Sequence, residues 1–313
     1  MNMKKVKKRN YPLTGALLAV LFLTQTTDVD ARSKTAIEAV DPENLRVCAD
    51  PNNLPFSNRK KEGFENQIAN LLSEWLDKPL TYTWFPSAIG FVHNTLTKKK
   101  CDVIIGIPTG SGKVLNTNPY YRYAYSIIYR KDSGIQVDRI DHPEMANLRI
   151  GTIAGTPPNI DLHAFNLMSR VRPYNLTYNT LVENPNERMI EDLESGLIDI
   201  ALLSGPIGAY YGKKHGLDVT VIPMKTIKRE GKLKGLGRND YFMSMGVRAG
   251  EIDWKRKLNT FLRENKKEVK KILEDYGIPT IPMRDKSKRD LSLIHISEPT
   301  RRTPISYAVF CLK

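Results

Sequence analysis

Cysteine and histidine are both scarce, with three cysteines and five histidines in 313 residues. No His or Cys pair has the spacing of zinc ligands, so no metal site is expected. Neither a Walker loop nor a dinucleotide fingerprint occurs, which excludes nucleotide binding by those two devices. Repeats and low-complexity runs are absent. The net charge is +14, yet the densest basic run, Lys225 to Arg238, has no interleaved aromatic residues. That disfavours nucleic acid as a partner and leaves a solvated loop as the plainer reading. The apolar run in the leader, Leu13 to Leu23, has 11 residues. As a helix it would rise about 16 Å, half of a bilayer core, so no membrane anchor is expected.

What is present describes a secreted globular protein. Lys4 to Arg9 form a positive head before that apolar run, and Val29-Asp-Ala31 supplies small residues where a signal peptidase reads. Residues 1–31 are therefore expected to be a signal peptide cleaved near Ala31, with the mature chain in the periplasm. Hydrophobic residues at 41% and charged residues at 26% suit a soluble fold, and the length suits about two domains. At the other end, Leu291-Ser-Leu-Ile-His-Ile-Ser-Glu-Pro-Thr follows a charged break with no caps and no period. It resembles read-through of a sequencing adapter, so residues 291–313, with Cys311, are set aside as a non-native tail.

Between the ends the α/β theme occurs twice. Leu45–Asp50 and Cys101–Pro108 read as buried strands, Leu80–Phe85 as an alternating strand, and Gly63–Lys78 as an amphipathic helix with Trp75 on its core face. Ile89–Thr97 reads as a short helix. The pattern restarts at Leu148–Ile153, followed by Ala154-Gly-Thr-Pro-Pro-Asn159 and a helix to about Ser169. Asn184-Pro-Asn-Glu187 has the residues of an N-terminal cap. Ile198–Leu203 and Asp218–Ile222 are strands, Asp240–Val247 is a strand returning to the first half, and Ile252–Leu273 is one long helix. The expected architecture is α/β: residues 44–130 with 240–283 form lobe 1, 135–235 form lobe 2, and the chain crosses twice. In an oxidising compartment Cys48 and Cys101, on strands expected to be neighbours, are candidates for a disulfide; two buried free thiols are the alternative.

Ligands of open α/β sheets sit beyond the carboxyl ends of the strands. That rule nominates Asp50, Asn53, Pro55 and Phe56 after the first strand, and Pro108, Thr109 and Gly110 after the third. On the exit and in the second half it nominates Tyr120, Tyr121, Gly155, Thr156, Asn159, Gly205 and Tyr210. Gly155-Thr156 is also a candidate anion site at a helix start, although a plain strand-to-helix turn explains it as well. No catalytic residue is expected. The one acid–base pair on offer, Asp161 with His163, is better explained as helix surface.

The runs Arg46-Val-Cys-Ala-Asp-Pro-Asn-Asn-Leu-Pro-Phe-Ser57, Gly63-Phe-Glu-Asn66, Cys101-Asp-Val-Ile-Ile-Gly-Ile-Pro108 and Pro119-Tyr-Tyr-Arg122 carry a resemblance. They are similar to type II periplasmic binding proteins, family 3, and within these to the quinoprotein-dehydrogenase-associated branch, the J protein of methanol-oxidation operons. The resemblance spans about residues 44–283. It implies two doubly wound lobes joined by two crossover segments. It also implies a periplasmic accessory factor that assists maturation or activation of a methanol dehydrogenase dependent on pyrroloquinoline quinone. That quinone and its metal would belong to the partner, so no cofactor is expected here. Amino-acid receptors of this fold hold the ligand carboxylate with an Arg after the third strand and the amine with an Asp after the strand ending near Leu203. Here Lys113 stands at the first place, with no Arg until Arg122, and Ser204-Gly-Pro206 at the second. Two alternatives remain: a transport receptor for a small polar metabolite or peptide, and a dehydratase of the same fold.

Overall fold

The structure is a computed structural model that describes residues 39–176, 179–224 and 239–283. The expected signal peptide, the basic run 225–238 and the tail 291–313 lie outside the described residues.

The first lobe starts with β1 (Leu45–Ala49), a short hairpin of β2 (Asn52–Asn53) and β3 (Ser57–Asn58), and α1 (Phe64–Leu76). It continues through β4 (Leu80–Trp84), β5 (Val103–Pro108) and β6 (Leu115–Asn116) to β7 (Tyr121–Arg130). A wide helical turn at His93–Thr97 occupies part of the expected short helix. Before α1, the Asn66 side-chain oxygen accepts the Gly63 and Asn58 amides, both at 3.2 Å, which satisfies donors a helix start leaves open. Gly63 is needed there, because a Cβ would meet the Phe56 carbonyl oxygen at 2.1 Å. The three- and four-residue spacing of Phe64, Ile68 and Leu72 puts all three at 0% exposure in the core. Truncating Phe64 to Ala would cost about 3–5 kcal/mol by transfer and cavity terms.

The second lobe contains β8 (Ile150–Ile153), α2 (Pro158–Ala164), β9 (Val171–Tyr174), α3 (Pro185–Glu194), β10 (Ile200–Ser204), α4 (Gly205–Lys214) and β11 (Val219–Pro223). The chain then returns through β12 (Asp240–Val247) and ends in α5 (Ile252–Glu264) and α6 (Lys266–Asp275). Two features depart from expectation. β9 contains Pro173, which argues against a strand in the sequence; it is tolerated because β9 lies at the edge of its sheet, pairing with β8. The expected long C-terminal helix breaks at Asn265, whose side-chain amide donates to the Phe261 carbonyl at 3.0 Å and so competes with the helical backbone.

The strand order of the first lobe is β4-β1-β5-β12-β7, and that of the second is β7-β10-β8-β9 with β11 on the other side of β7. β7 belongs to both. Tyr121–Ala124 pair with β12, whereas Tyr125–Arg130 pair with β10 and β11. The sequence suggested two separate sheets; the backbone ladder instead runs unbroken through this one strand. The cores stay apart. One cluster gathers Phe64, Ile105, Met245 and Phe261 in the first lobe, and two others flank the second sheet around Ile127 and Leu202 and around Ile128 and Met189.

Two covalent or ionic ties hold the far end of lobe 1. Cys48 and Cys101 form a disulfide with Cα atoms 5.4 Å apart, placed by the parallel pairing of Cys48 with Ile104. Asp102, 1% exposed as a side chain, accepts the Arg46 and Arg248 guanidinium groups, each at 2.7 Å. Removing one partner from such a buried cluster costs about 3–5 kcal/mol.

Joint replacement of Cys48 and Cys101 by Ala is expected to lower stability by about 2–4 kcal/mol, the range for a disulfide closing a loop of this order. Urea unfolding with and without reductant checks it: reductant should shift the midpoint of the parent protein and leave that of the double variant unchanged.

Candidate functional site

A cavity of about 270 Å³ opens between the lobes at the carboxyl ends of β1, β8 and β10. Lobe 1 contributes Asn53 and Phe56 from the turn region after β1, and Ser87. The crossing strand contributes Tyr123 and Tyr125. Lobe 2 contributes Ile153 and Thr156 after β8, Leu203 and Ser204 at the end of β10, Ile207 on α4, and Thr180 with Asn186 on the far wall. Small residues follow β8 and β10, Ala154-Gly155 and Gly205, as expected for a strand-end site. The Ser204 hydroxyl is buried, caps nothing on α4, and has no hydrogen-bond partner among the described residues.

Asp50 lies behind this wall, 2% exposed, and its carboxylate is fully engaged. One oxygen accepts the Asn52 amide at 2.8 Å and the Thr180 hydroxyl at 2.8 Å; the other accepts the Ser87 amide at 2.5 Å. Asn52 donates its side-chain amide to the Thr180 carbonyl at 2.7 Å. Asp50 and Asn52 belong to lobe 1 and Thr180 to lobe 2, so these bonds latch the lobes together at one end of the cavity.

Glu65, in the first turn of α1, was not singled out by the sequence. Its carboxyl reaches the place a side chain would fill on Gly106, with Oε1 only 1.9 Å from where a Cβ would stand. No hydrogen bond or ion pair to another described residue supports it. Burial first, and the negative charge of Asp50 second, push it up to about 8. Around it runs an aromatic chain: Phe56 to Phe64 at 5.4 Å, Phe64 to Tyr121 at 5.9 Å, Tyr121 to Tyr123 at 6.1 Å and Tyr123 to Tyr241 at 5.7 Å. Burial raises the Tyr120, Tyr121, Tyr123 and Tyr125 phenols far above the usual tyrosine range, so all remain neutral.

The structure gathers part of the expected set. Asn53, Phe56 and Thr156 line the cavity, and Asp50 braces it. Pro55 is buried beneath the turn, and its bond to Leu54 is cis. Tyr121, expected at the strand-end site, is 3% exposed and belongs to the lobe 1 core, because it sits where β7 pairs with β12. Tyr120 faces a different pocket, with Asn118 and Leu262, and gives its hydroxyl to the Ile105 carbonyl. Pro108, Thr109 and Gly110 are exposed and outside the cavity lining. Gly155 is also exposed, and Asn159 spends its amide on the Ile153 carbonyl at 2.7 Å. Gly205 is a packing residue: a Cβ there would stand 2.8 Å from Pro279 and 3.2 Å from the Ala124 carbonyl, so glycine lets α4 approach the crossing. Tyr210 lines a second groove with Lys213, Lys214, Asp275 and Tyr276. Asp161 and His163 do not form a pair at a cavity, since Asp161 is buried against the Asn239 amide at 2.8 Å and His163 is exposed. Lys113 is exposed away from the lining, and Arg122 is held by Asp240 at 2.7 Å across the two crossing strands. Among the described residues no group of three or more His, Cys, Asp or Glu gathers as metal ligands, and no helix is long and apolar enough to cross a membrane.

The model of the bacterial extracellular solute-binding proteins, family 3, matches residues 45–278. The chain belongs to that family. Its strand orders are those of a type II periplasmic binding protein. Among solved structures it is similar to the periplasmic binding protein XoxJ from Methylobacterium extorquens AM1, with 37% identity and a TM-score of 0.64 over 76% of this chain and all of that one. It is also similar to MxaJ from Methlophaga aminisulfidivorans MPT, with 28% identity and a TM-score of 0.67 over the same shares. Protein MoxJ of Methylorubrum extorquens is 28% identical over 289 residues, 87% of this chain and 94% of the relative. An ancestral cationic amino acid solute-binding protein, 20% identical with a TM-score of 0.58 over 74% of this chain and 95% of that one, shares the fold.

The position of Glu65 predicts a pH-dependent stability. A carboxyl raised in the folded state binds more protons folded than unfolded between about pH 4.5 and pH 8, so stability falls as pH rises through that window. Glu65→Gln is expected to remove this part of the slope: its melting temperature should exceed that of the parent protein at pH 8.5 and approach it at pH 4.5. Parallel curves for the two proteins across that range would refute the assignment.

Proposed function

We propose that the chain is a periplasmic accessory factor that associates with a methanol dehydrogenase dependent on pyrroloquinoline quinone and assists its maturation or activation. The observation that carries this reading is the likeness to XoxJ, 37% identical over the whole of that chain, together with MoxJ and MxaJ. Export through the leader and cleavage near Ala31 would bring the chain to the compartment of that enzyme. The quinone and its metal belong to the dehydrogenase, not to this chain.

The cavity supports a binding role over catalysis. A general acid or base must stand within reach of the reacting atoms, and among the described residues the lining holds no ionisable side chain except the phenols of Tyr123 and Tyr125, which burial keeps neutral. The receptor for amino acids is disfavoured by the same inventory, because Arg122 is occupied by Asp240 and Ser204 stands where an acid would hold the amine.

For a partner surface, the groove of Tyr210, Lys213, Lys214, Asp275 and Tyr276 is suitable. It spans α4 of lobe 2 and the end of α6 in lobe 1, encloses about 440 Å³, and offers two aromatic anchors between charged side chains. Immobilised cognate dehydrogenase should capture the mature chain at concentrations of about 10 µM or below. Joint Tyr210→Ala and Tyr276→Ala replacement should weaken capture about tenfold or more, whereas Ile89→Ala on the exposed side of lobe 1 should not. Absence of capture at that concentration would overturn the accessory reading.

A further inference from the structure

The interlobe cavity has a chemical character that the accessory reading does not use. Among the described residues, none of its lining side chains carries a formal charge. Asp50, which braces the cavity, commits both oxygens to Asn52, Thr180 and Ser87, and Arg122 on the crossing strand is committed to Asp240 and the Pro282 carbonyl. Burial holds Glu65, behind the wall, towards its neutral form. A charged ligand entering here would shed its hydration and meet no counter-charge.

The remaining groups suit an uncharged ligand with two kinds of surface. Phe56, Tyr123 and Tyr125 contribute aromatic rings to the lining, and such rings can pack against the C–H side of a saturated ring or chain. Asn53 presents a side-chain amide from lobe 1, whereas the Thr156 hydroxyl is already spent on the Ile153 carbonyl at 2.7 Å and accepts the Asn159 amide at 3.1 Å. Ser204 adds the most specific element. Its residue is 8% exposed, its hydroxyl lacks a partner among the described residues, and it lines the cavity at the start of α4. An unsatisfied buried hydroxyl is uncommon and is relieved by a ligand group that both donates and accepts. The volume, about 270 Å³, equals that of roughly nine liquid waters, below the usual range for drug-sized ligands. The occupant is therefore small.

We propose that the cavity is a binding site for a small uncharged molecule bearing several hydroxyl groups, such as a neutral sugar ring or polyol, with Ser204 as the hydrogen-bonding anchor and Phe56, Tyr123 and Tyr125 as the stacking wall. This site is independent of the surface proposed for the dehydrogenase.

A matched set on one pyranose frame tests it: methyl β-D-glucopyranoside, D-glucosamine as the cation and D-glucuronate as the anion. All three are titrated calorimetrically into the mature chain at about pH 6, where the last two are ionised. The neutral glycoside should bind, and both ionised analogues should bind at least tenfold more weakly. Ser204→Ala, with its unliganded melting temperature as the folding check, should weaken the neutral glycoside severalfold. Ser204→Asp should shift preference towards glucosamine. Two results would overturn the proposal: no heat from the neutral glycoside up to about 10 mM, or an ionised analogue binding as tightly as the neutral one. Either result leaves capture by the dehydrogenase unaffected, so the two readings fail separately.

Discussion

Everything in this molecule hangs on the sharing of one strand. β7 spends Tyr121–Ala124 on β12 and Tyr125–Arg130 on β10 and β11. A strand with period two cannot change its partners without carrying side chains of both lobes into one place. That is why Tyr123 and Tyr125 stand at the cavity and Tyr121, one step earlier on the same face, is core. The return strand reinforces the junction: Tyr125 donates to the Asn239 carbonyl at 2.6 Å, and Arg122 pairs with Asp240. Gly205 completes it, since any side chain there would hold α4 away from Pro279 and the crossing.

Charge near the cleft is used for scaffolding. In a receptor for zwitterions, ionised groups face the ligand. Here Asp50 faces the backbone and Thr180, Arg122 faces Asp240, and Asp102 at the other end of lobe 1 faces Arg46 and Arg248. Ionised groups that are paired and hydrogen-bonded tolerate burial, whereas an unpaired one shifts towards neutrality. Among the described residues the Glu65 carboxyl has no such partner. A cleft bounded by such residues is polar without being charged, and that sets it apart from the amino-acid receptors whose fold it shares.

Local signals made much of this legible. The three- and four-residue spacing over Phe64–Leu76 and the apolar run of Val103–Ile107 predicted α1 and β5. Asn184, Pro185 and Glu187 marked the start of α3, where the Asn184 side chain does accept the Glu187 amide at 3.3 Å. Asn53, Phe56 and Thr156 were found because each directly follows a strand, so position in sequence stood in for position in space. β9 escaped because Pro173 masks an edge strand. The break at Asn265 escaped because apolar spacing continues across it. Thr180 and Asn186 escaped for a different reason: no motif marks Thr180, Asn186 falls in a stretch read only as a helix cap, and their places against Asp50 and the cavity are set by the fold.

By itself the chain of residues determined the class of elements, the twofold α/β theme, the pairing of Cys48 with Cys101 as a candidate and the family. These follow from periodicity, caps and short motifs, which act between near neighbours. Tertiary structure alone decided that Tyr121 is core while Tyr123 lines the cleft, that Asp50 and Arg122 are occupied, and that Glu65 and Ser204 have no side-chain partner among the described residues. Those outcomes depend on what lies opposite each side chain, often more than a hundred residues away, and neither burial nor electrostatic pairing can be read from local order.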